Sequence, residues 1–419
     1  MLGLVRGVRL CECLLFIQGR CFSRDGICIN YRNFTVTPLS GDHQLIQKAC
    51  REFAEKELMP VAAKIDRDMR FPQELIEKLG TQGLLYMTVD RHLGGAGLDI
   101  LSLSLAVEEI ARGCSATGAV VSIHNCLYAN LLDRLGTEEQ KKRFLAPMVM
   151  DSSLGAFALS EFNAGSDVAA MSTTARQEGS KWILKGNKAW VTSAREAKAA
   201  VVFASVDRNL KHAGLAAFIV PLDTPGVTLG RNEEKMGIRG TSTCTLTLDN
   251  VEIPQENILG EIGDGFRIAM EQLDLARIGI ASQALGIARA CLDLSISYAT
   301  SRIAFGQSII TMPTVKTRIA EMGLRLEAAQ LLTRRAAFIH SQPGAKTTKF
   351  SSMAKLAASE CATFNSHNCV QILGGMGYVM DLPAERLYRD ARITEIYGGV
   401  SDIQRQIVAD QVIKECNSE

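Results

Sequence analysis

The segment from about Leu154 to Pro254 constrains the fold most, because it has the pattern of strands while both flanking regions have the pattern of helices. Its β-type runs cover residues 155–159, 182–184, 199–204, 216–220 and 244–248, and glycine, proline and asparagine separate them. Several short strands at close spacing predict a β-barrel or sandwich domain. A chain of 419 residues has room for further domains on both sides.

Helical periodicity fills both flanks of this segment. On the N-terminal side it begins at Asp42, and further helices are predicted over residues 72–79, 101–112 and 138–146. On the C-terminal side, residues 268–301 and 351–370 contain no proline and predict long helices, which pack as a bundle when their connections are short. We therefore predict an α+β fold with a helical domain at residues 40–152, a β-domain at 153–256 and a helical bundle at 260–415.

Composition excludes several classes of function. The formal net charge is +1, so nothing global suggests a nucleic acid or an anionic membrane as partner. The six histidines lack zinc-type spacing, and the twelve cysteines are scattered without a Cys-x-x-Cys pair, which predicts free thiols and no metal site. Apolar runs fall short of the roughly 18–20 residues that span a bilayer, so we predict no transmembrane segment.

Residues 1–24 differ from the rest of the chain in charge. They contain four arginines and one acidic residue, Glu12, which is typical of a mitochondrial transit peptide. The segment 20–23, Arg-Cys-Phe-Ser, also resembles the processing pattern of such leaders. The alternatives are a secretory signal, because residues 10–17 are mostly apolar, and a disordered tail. We expect import into the mitochondrial matrix.

Seven segments, in the expected order, resemble signature segments of the acyl-CoA dehydrogenase family. They are residues 157–161 with 165–167, 188–192, 274–277, 302–306, 371–378, 388–392 and 397–405. The resemblance covers residues 40–415 and is strongest to the short-chain, butyryl-type branch. It implies that family's fold: a helical domain, a β-barrel domain and a C-terminal four-helix bundle.

The resemblance implies FAD as cofactor and a short-chain acyl-CoA as substrate. Dehydrogenation removes a proton from the α-carbon and a hydride from the β-carbon, and only the flavin can accept the hydride. The matching cofactor-binding residues are Phe157, Leu159, Ser160, Ser166, Trp190, Thr192, Arg302, Gln371, Gly374, Gly375 and Ser401. The matching substrate-binding residues are Ser166, Asp274, Arg277 and Gly399. Without the family context, Trp190 would be a core residue, Arg302 a solvated helix residue, and Asp274 with Arg277 a surface pair.

Further expectations concern partners. The resemblance implies electron transfer to an electron-transferring flavoprotein. It also implies a homotetramer, because segments matching Arg302 and residues 371–375 complete the flavin sites across subunits in this family.

The chain departs from the family at the catalytic base. Gly398 occupies the position of the glutamate that takes the α-proton, and glycine cannot accept a proton. Some relatives place the base on the coenzyme A-binding helix, but the matching residue here is Ala276. Glu395 and Asp402 are the remaining candidates by sequence proximity. The N–H of Gly398 still suits the family's polarisation of the thioester carbonyl.

Other departures lie at positions matching cofactor contacts. Residues 162–165 read Phe-Asn-Ala-Gly in place of Pro-Gly-x-Gly, and Val400 replaces a threonine. Pro313 and Lys316 align where the family has glutamines, and Pro313 is expected to break or kink a helix there.

Three functions remain open from the sequence. The first is a short-chain acyl-CoA dehydrogenase of fatty-acid β-oxidation, impaired by Gly398 or using a displaced base. The second is a non-catalytic flavin- or acyl-CoA-binding member of the fold. The third is a flavin oxidase or monooxygenase, which needs no α-proton base.

Overall fold

A computed structural model of the chain describes residues 20–22, 28–30 and 39–417. Strands β1 (Arg20–Phe22) and β2 (Cys28–Asn30) pair antiparallel within an N-terminal unit, Met1–Pro38, which is separate from the unit Leu39–Glu419. Apart from β1, the predicted transit peptide at residues 1–24 lies outside the described residues.

The N-terminal domain is helical, as predicted. Its helices are α1 (Gly41–Phe53), α2 (Met59–Asp68), α3 (Gln73–Thr81), α4 (Ile100–Gly113), α5 (Ser115–Ile123), α6 (Asn130–Leu135), α7 (Glu138–Phe144) and α8 (Ala146–Met150). Ser40 and Thr137 start α1 and α7 with capping boxes, each satisfying orphan backbone donors of the first turn. Helix α4 is buried on nearly every residue, so it forms the centre of this layer.

The middle domain is an eight-stranded sheet, in agreement with the predicted β-domain. Its strands are β3 (Leu154–Ala158), β4 (Thr174–Glu178), β5 (Lys181–Thr192), β6 (Ala197–Ser205), β7 (Leu215–Pro221), β8 (Val227–Asn232), β9 (Thr243–Pro254) and β10 (Ile258–Leu259). The order is β10-β7-β6-β4-β5-β9-β8, and β3 pairs parallel with β6. Strand β6 is buried on both faces: Val201 and Phe203 join the core shared with the helices, and Val202 packs in a second core with Trp182 and Phe218.

The C-terminal domain is built on four long helices. These are α9 (Gly265–Ser301), α10 (Pro313–His340), α11 (Thr348–Leu373) and α14 (Ser401–Cys416). The smaller elements between them are β11 (Ile303–Ala304), β12 (Gln307–Ser308), α12 (Gly375–Tyr378) and α13 (Ala384–Arg392). Helix α11 packs against α9, α10 and α14, which confirms the predicted bundle.

Pro313 does not break a helix, contrary to the expectation from the sequence. It occupies the first turn of α10, after the β11–β12 hairpin has ended the preceding helix at Ser301. Proline suits this place because the first-turn N–H groups have no partner within the helix and its fixed φ is already helical.

Helix α9 is long and apolar enough to cross a membrane by length and composition, although the sequence predicted no such segment. In the structure, 89% of its most apolar 18-residue window is buried against protein, as in the core helix of a bundle. The eight cysteines within residues 39–417 are free thiols, as predicted. In the same part of the chain no group of three or more His, Cys, Asp or Glu side chains could hold a metal ion.

Candidate active site

An aromatic face with hydroxyl groups beside it forms where β3 and β5 meet. The N–H of Ala189 donates to the carbonyl of Ser160 at 2.8 Å, which joins the two predicted flavin-contacting segments. The register of β5 against β9 shifts between Lys188 and Val191, and Trp190 has a φ of +55°. Such a bulge re-aims a side chain. Trp190 is 51% exposed, and its ring centroid lies 5.4 Å from that of Phe162.

A buried ion pair between Lys188 and Glu161 supports this aromatic face. The Lys188 ammonium, fully buried, lies 2.8 Å from Glu161 Oε1 and donates to the Leu159 carbonyl at 3.1 Å. The backbone N–H groups of Ser172 and Thr173 donate to the two Glu161 oxygens at 2.6 and 2.9 Å. Burial alone would raise the pKa of Glu161, but Lys188 and these donors outweigh it and lower that pKa to about 2. Glu161 is therefore ionised, and the pair ties the segment 159–161 to β5.

Asp274 and Arg277 form a buried pair on α9. Arg277 Nη1 lies 2.5 Å from Asp274 Oδ1, and the Thr348 hydroxyl donates to Asp274 Oδ2 at 2.6 Å. Burial lowers the pKa of Arg277 although Asp274 opposes the shift. Arg277 Nε has no hydrogen-bond partner within residues 39–417. Asp274 also borders a groove of about 1200 Å³ whose cations include Lys346 and Lys349. The pair is thus internally compensated, and Arg277 retains a free donor.

The turn before α14 contains two consecutive glycines in the left-handed region. Gly398 has a φ of +65° and Gly399 a φ of +97°. A Cβ placed at Gly398 would overlap Ile280 Cδ1 on α9, and one at Gly399 would lie 2.6 Å from Gln404 Nε2. Tyr397, which precedes the glycines, hydrogen-bonds to Gln283 of α9. The turn therefore lies against α9 in the stretch that follows the Asp274–Arg277 pair.

Comparison with known proteins shows which family has this arrangement of domains. Sequence models of the acyl-CoA dehydrogenase N-terminal, middle and C-terminal domains match residues 40–151, 156–251 and 263–413. The mitochondrial short-chain specific acyl-CoA dehydrogenase of Rattus norvegicus is 52% identical over 376 residues, which cover 90% of this chain and 91% of the relative.

Two solved structures agree with this match. Butyryl-CoA dehydrogenase from Megasphaera elsdenii is 36% identical with a TM-score of 0.88, covering 90% of this chain and 100% of its own. A chain from the structure of the electron transferring flavoprotein of Acidaminococcus fermentans is 39% identical with a TM-score of 0.88, covering 90% and 99%. The chain belongs to the acyl-CoA dehydrogenase family. Members of this family are FAD-dependent oxidoreductases that act on CH–CH bonds.

The two carboxylates nearest the acyl-CoA dehydrogenase base position in sequence are both paired with arginines. The side chain of Asp402 is 85% exposed and lies 3.0 Å from Arg405. The side chain of Glu395 is 15% exposed and paired with Arg392. Each carboxylate therefore already accepts a hydrogen bond from a neighbouring arginine. The geometry favours neither candidate, and both stay untested predictions.

The remaining predicted residues divide between enclosed and surface positions. Phe157 is half-buried with its ring 5.0 Å from Phe203, Leu159 is buried, and Ser160 and Thr192 are half-buried. Ser166, Arg302, Gln371, Gly374 and Gly375 are exposed. Their roles as ligands in an acyl-CoA dehydrogenase stay predictions.

Residues near the turn satisfy a fit test for the family's flavin. The Ser401 hydroxyl is enclosed by protein yet has no hydrogen-bond partner within residues 39–417. The face around Trp190 leaves a large aromatic surface open, with the Thr192 hydroxyl nearby in the same strand. An aromatic plane with adjacent polar groups is what a flat heteroaromatic ring requires. The residues present therefore fit FAD.

Three buried residues of this site were missed by the sequence analysis. Lys188 lies in the segment 188–192 that resembles the family, but nothing in the sequence indicates Glu161 as its partner. Lys355 donates to the Gly399 carbonyl at 2.9 Å, and Gln404 donates to the same carbonyl at 2.9 Å. A lysine in an alanine-rich helix is typical of a solvated position, so no sequence signal indicated its burial.

Proposed function

We propose that this protein is an FAD-dependent short-chain acyl-CoA dehydrogenase that binds its substrate but removes the α-proton slowly. The observation that carries the proposal is Gly398, which lies in a site otherwise built for the family's reaction yet has no proton acceptor. Position 276 on α9 is alanine as well, so the family's other location for the base is also empty.

The chain's own residues have separate roles in this proposal. Trp190, Thr192 and Ser401 would hold the flavin, and Arg277 would donate its free Nε–H to the coenzyme A portion. FAD, when bound, supplies the acceptor for the hydride. Backbone N–H groups of the turn from Gly398 to Val400 would polarise the thioester carbonyl, which makes the α-proton more acidic. Water would then have to take that proton, because no side-chain carboxylate stands at Gly398.

Loss of a general base costs about 10²–10⁴ in rate. The expected protein is therefore yellow and binds acyl-CoA, but its flavin is reduced slowly. This behaviour separates an impaired dehydrogenase from an empty scaffold of the same fold.

The test is anaerobic titration of the purified full chain with butyryl-CoA, followed by its flavin absorbance. Slow bleaching that yields crotonyl-CoA supports the proposal. Prompt bleaching would show that a displaced base exists and that the assignment of Gly398 is wrong. If the protein is yellow and binds butyryl-CoA but never bleaches, it is a binding protein without dehydrogenase activity. If the protein is colourless, it holds no flavin.

An oxidase or monooxygenase is distinguished by its products. In air, an oxidase would consume oxygen and release one peroxide for each enoyl-CoA formed from acyl-CoA, whereas a monooxygenase supplied with an external reductant would release a hydroxylated product and no enoyl-CoA. Equal amounts of enoyl-CoA and reduced electron acceptor would instead support the dehydrogenase.

We also propose assembly as a homotetramer in the mitochondrial matrix, with an electron-transferring flavoprotein as electron acceptor. Supporting the assembly, Phe305 is 94% and Tyr378 84% exposed, beside the predicted cofactor segments at Arg302 and residues 371–375. Exposed large apolar side chains mark interaction surfaces. Analytical ultracentrifugation of the native chain and of Phe305→Asp tests this, since only the native chain should sediment as a tetramer.

A further inference from the structure

The turn at Gly398–Gly399 needs support from outside itself. Two consecutive glycines have more conformational freedom than any other pair of residues, so holding them in one shape costs entropy. The turn lies between a short 3₁₀ segment, Ile393–Glu395, and α14, and the start of α14 has no side-chain cap. A site that depends on backbone N–H groups of this turn therefore depends on whatever fixes it.

Two buried side chains hold the carbonyls of both glycines. Gln404 Nε2 donates to the Gly398 carbonyl at 3.1 Å and to the Gly399 carbonyl at 2.9 Å. Lys355 Nζ donates to the Gly399 carbonyl at 2.9 Å. Both side chains are 0% exposed. The contacts come from two different helices, α14 and α11, so the turn is held from two directions.

Fixing these carbonyls also fixes two N–H groups. A peptide group is planar, with its C=O and N–H pointing in opposite directions. The Gly398 carbonyl shares a plane with the Gly399 N–H, and the Gly399 carbonyl with the Val400 N–H. Neither N–H has a hydrogen-bond partner within residues 39–417. They are therefore oriented, unpaired donors that face away from Gln404 and Lys355.

Burying the Lys355 ammonium costs free energy that a purely structural contact would not require. Within the described part of the chain its ammonium donates one hydrogen bond, to a neutral carbonyl. Burial lowers the pKa of Lys355 to about 8, Glu395 opposes this shift, and Arg277 adds to it. A methionine would fill the same space without burying a charge. The cost points to a use for the charge at this turn.

We propose that Lys355 and Gln404 are positioning residues that hold the Gly398–Gly399 turn so that its backbone N–H groups bind the thioester oxygen of the acyl-CoA. This inference rests on the proposed function. In a site without a base, the main contribution of the protein to stabilising the enolate is then the support that Lys355 and Gln404 give to the turn.

The test uses acetoacetyl-CoA, whose α-proton is acidic enough to be lost without an enzymatic base. Its enolate therefore binds without proton transfer to the protein, so its affinity is sensitive to the N–H donors of the turn. The flavin-containing protein is titrated anaerobically with this probe, and the change in flavin absorbance gives the dissociation constant. Native protein is compared with Lys355→Met and Gln404→Met. The matched controls are Lys142→Met on α7, which contacts Glu139 instead of the turn, and Gln406→Met, an exposed residue of α14.

We expect about tenfold weaker binding of the probe by Lys355→Met and by Gln404→Met, the loss of one positioned hydrogen bond. Both controls should stay within about twofold of native. Flavin content should be unchanged, and Lys355→Met should unfold at the same or a higher temperature, since a buried charge is gone. A structural role alone would lower stability and affinity together.

Native-like affinity in both turn variants would overturn the inference. If one variant fails to fold, the other decides. If native protein retains no flavin, or does not respond to the probe, the proposed function itself fails, which is a separate result.

Discussion

Two fully buried lysines flank the predicted flavin site, and they differ in what compensates their charge. Lys188 in the middle domain lies 2.8 Å from the Glu161 carboxylate. Within residues 39–417, the Lys355 ammonium in the bundle hydrogen-bonds only to the carbonyl of Gly399. Burial lowers the pKa of both to about 8.

This difference indicates that the cofactor side and the substrate side of the site have different roles. On the cofactor side, a complete ion pair ties the segment 159–161 to β5. On the predicted substrate side, the Lys355 ammonium supports the glycine turn at the predicted base position. In the proposed function, the scaffold and the binding groups are retained while the acid–base group is absent, so fold and chemistry should be separable by mutation.

The largest effect should come from restoring a carboxylate on the substrate side. Gly398→Glu should speed anaerobic bleaching of the flavin by butyryl-CoA by about 10²–10⁴, the usual contribution of general-base catalysis. Stopped-flow absorbance measures the rate. The control is Gly398→Gln, which has the same shape but no basic group and should stay near the native rate. Equal rates in Gln and Glu variants would mean that position 398 is not where the proton goes.

The next largest effect should separate the two lysines directly. Lys188→Met leaves Glu161 buried and unpaired, which costs about 3–5 kcal/mol of unfolding free energy. Lys355→Met removes a buried charge and leaves only a carbonyl short of one donor, so its unfolding free energy should equal the native value or exceed it by about 1 kcal/mol or less. Urea unfolding of both variants measures this. The comparison fails if the two substitutions cost the same.

The sequence was sufficient for the architecture because hydrophobic periodicity carries over long segments. The helix predicted over residues 268–301 is α9 (Gly265–Ser301), and that over 351–370 lies inside α11 (Thr348–Leu373). The prediction that Pro313 breaks a helix is wrong because a proline in the first turn of a helix and one inside a helix have the same local sequence pattern when the helix boundary is not known. The short β11–β12 hairpin that sets this boundary has too few residues for a detectable period.

The supporting contacts of the site could not be predicted for a different reason. Glu161 and Lys188 are distant in sequence and meet because β3 leads into a segment that lies along β5. Lys355 and Gln404 face the turn only after α11 and α14 pack beside it. Such contacts depend on tertiary geometry, and a single sequence has no local pattern that encodes them.

A smaller effect should come from the space beside Gly398. Because a Cβ there would overlap Ile280 Cδ1, Gly398→Glu forces Ile280 into a less favourable rotamer. Ile280→Val in the Gly398→Glu background removes that methyl and should raise the bleaching rate about threefold further. Ile280→Val alone, without a base, should leave the native rate unchanged. A slower double variant would mean that Ile280 supports the substrate and does not obstruct the glutamate.

The smallest effects should come from the two carboxylates that the sequence offered as displaced bases. Asp402 points to solvent beside Arg405, and Glu395 is paired with Arg392. Asp402→Asn and Glu395→Gln should each change the slow native bleaching rate by less than about twofold, because neither carboxylate is a free acceptor in the site. Glu395→Gln is the more demanding case, since Glu395 also raises the pKa of Lys355. A loss of tenfold or more in one variant, with flavin content intact, would identify that residue as the base. The substrate side would then contain a carboxylate base other than position 398. The difference between Lys188 and Lys355 could then no longer be explained by a missing base.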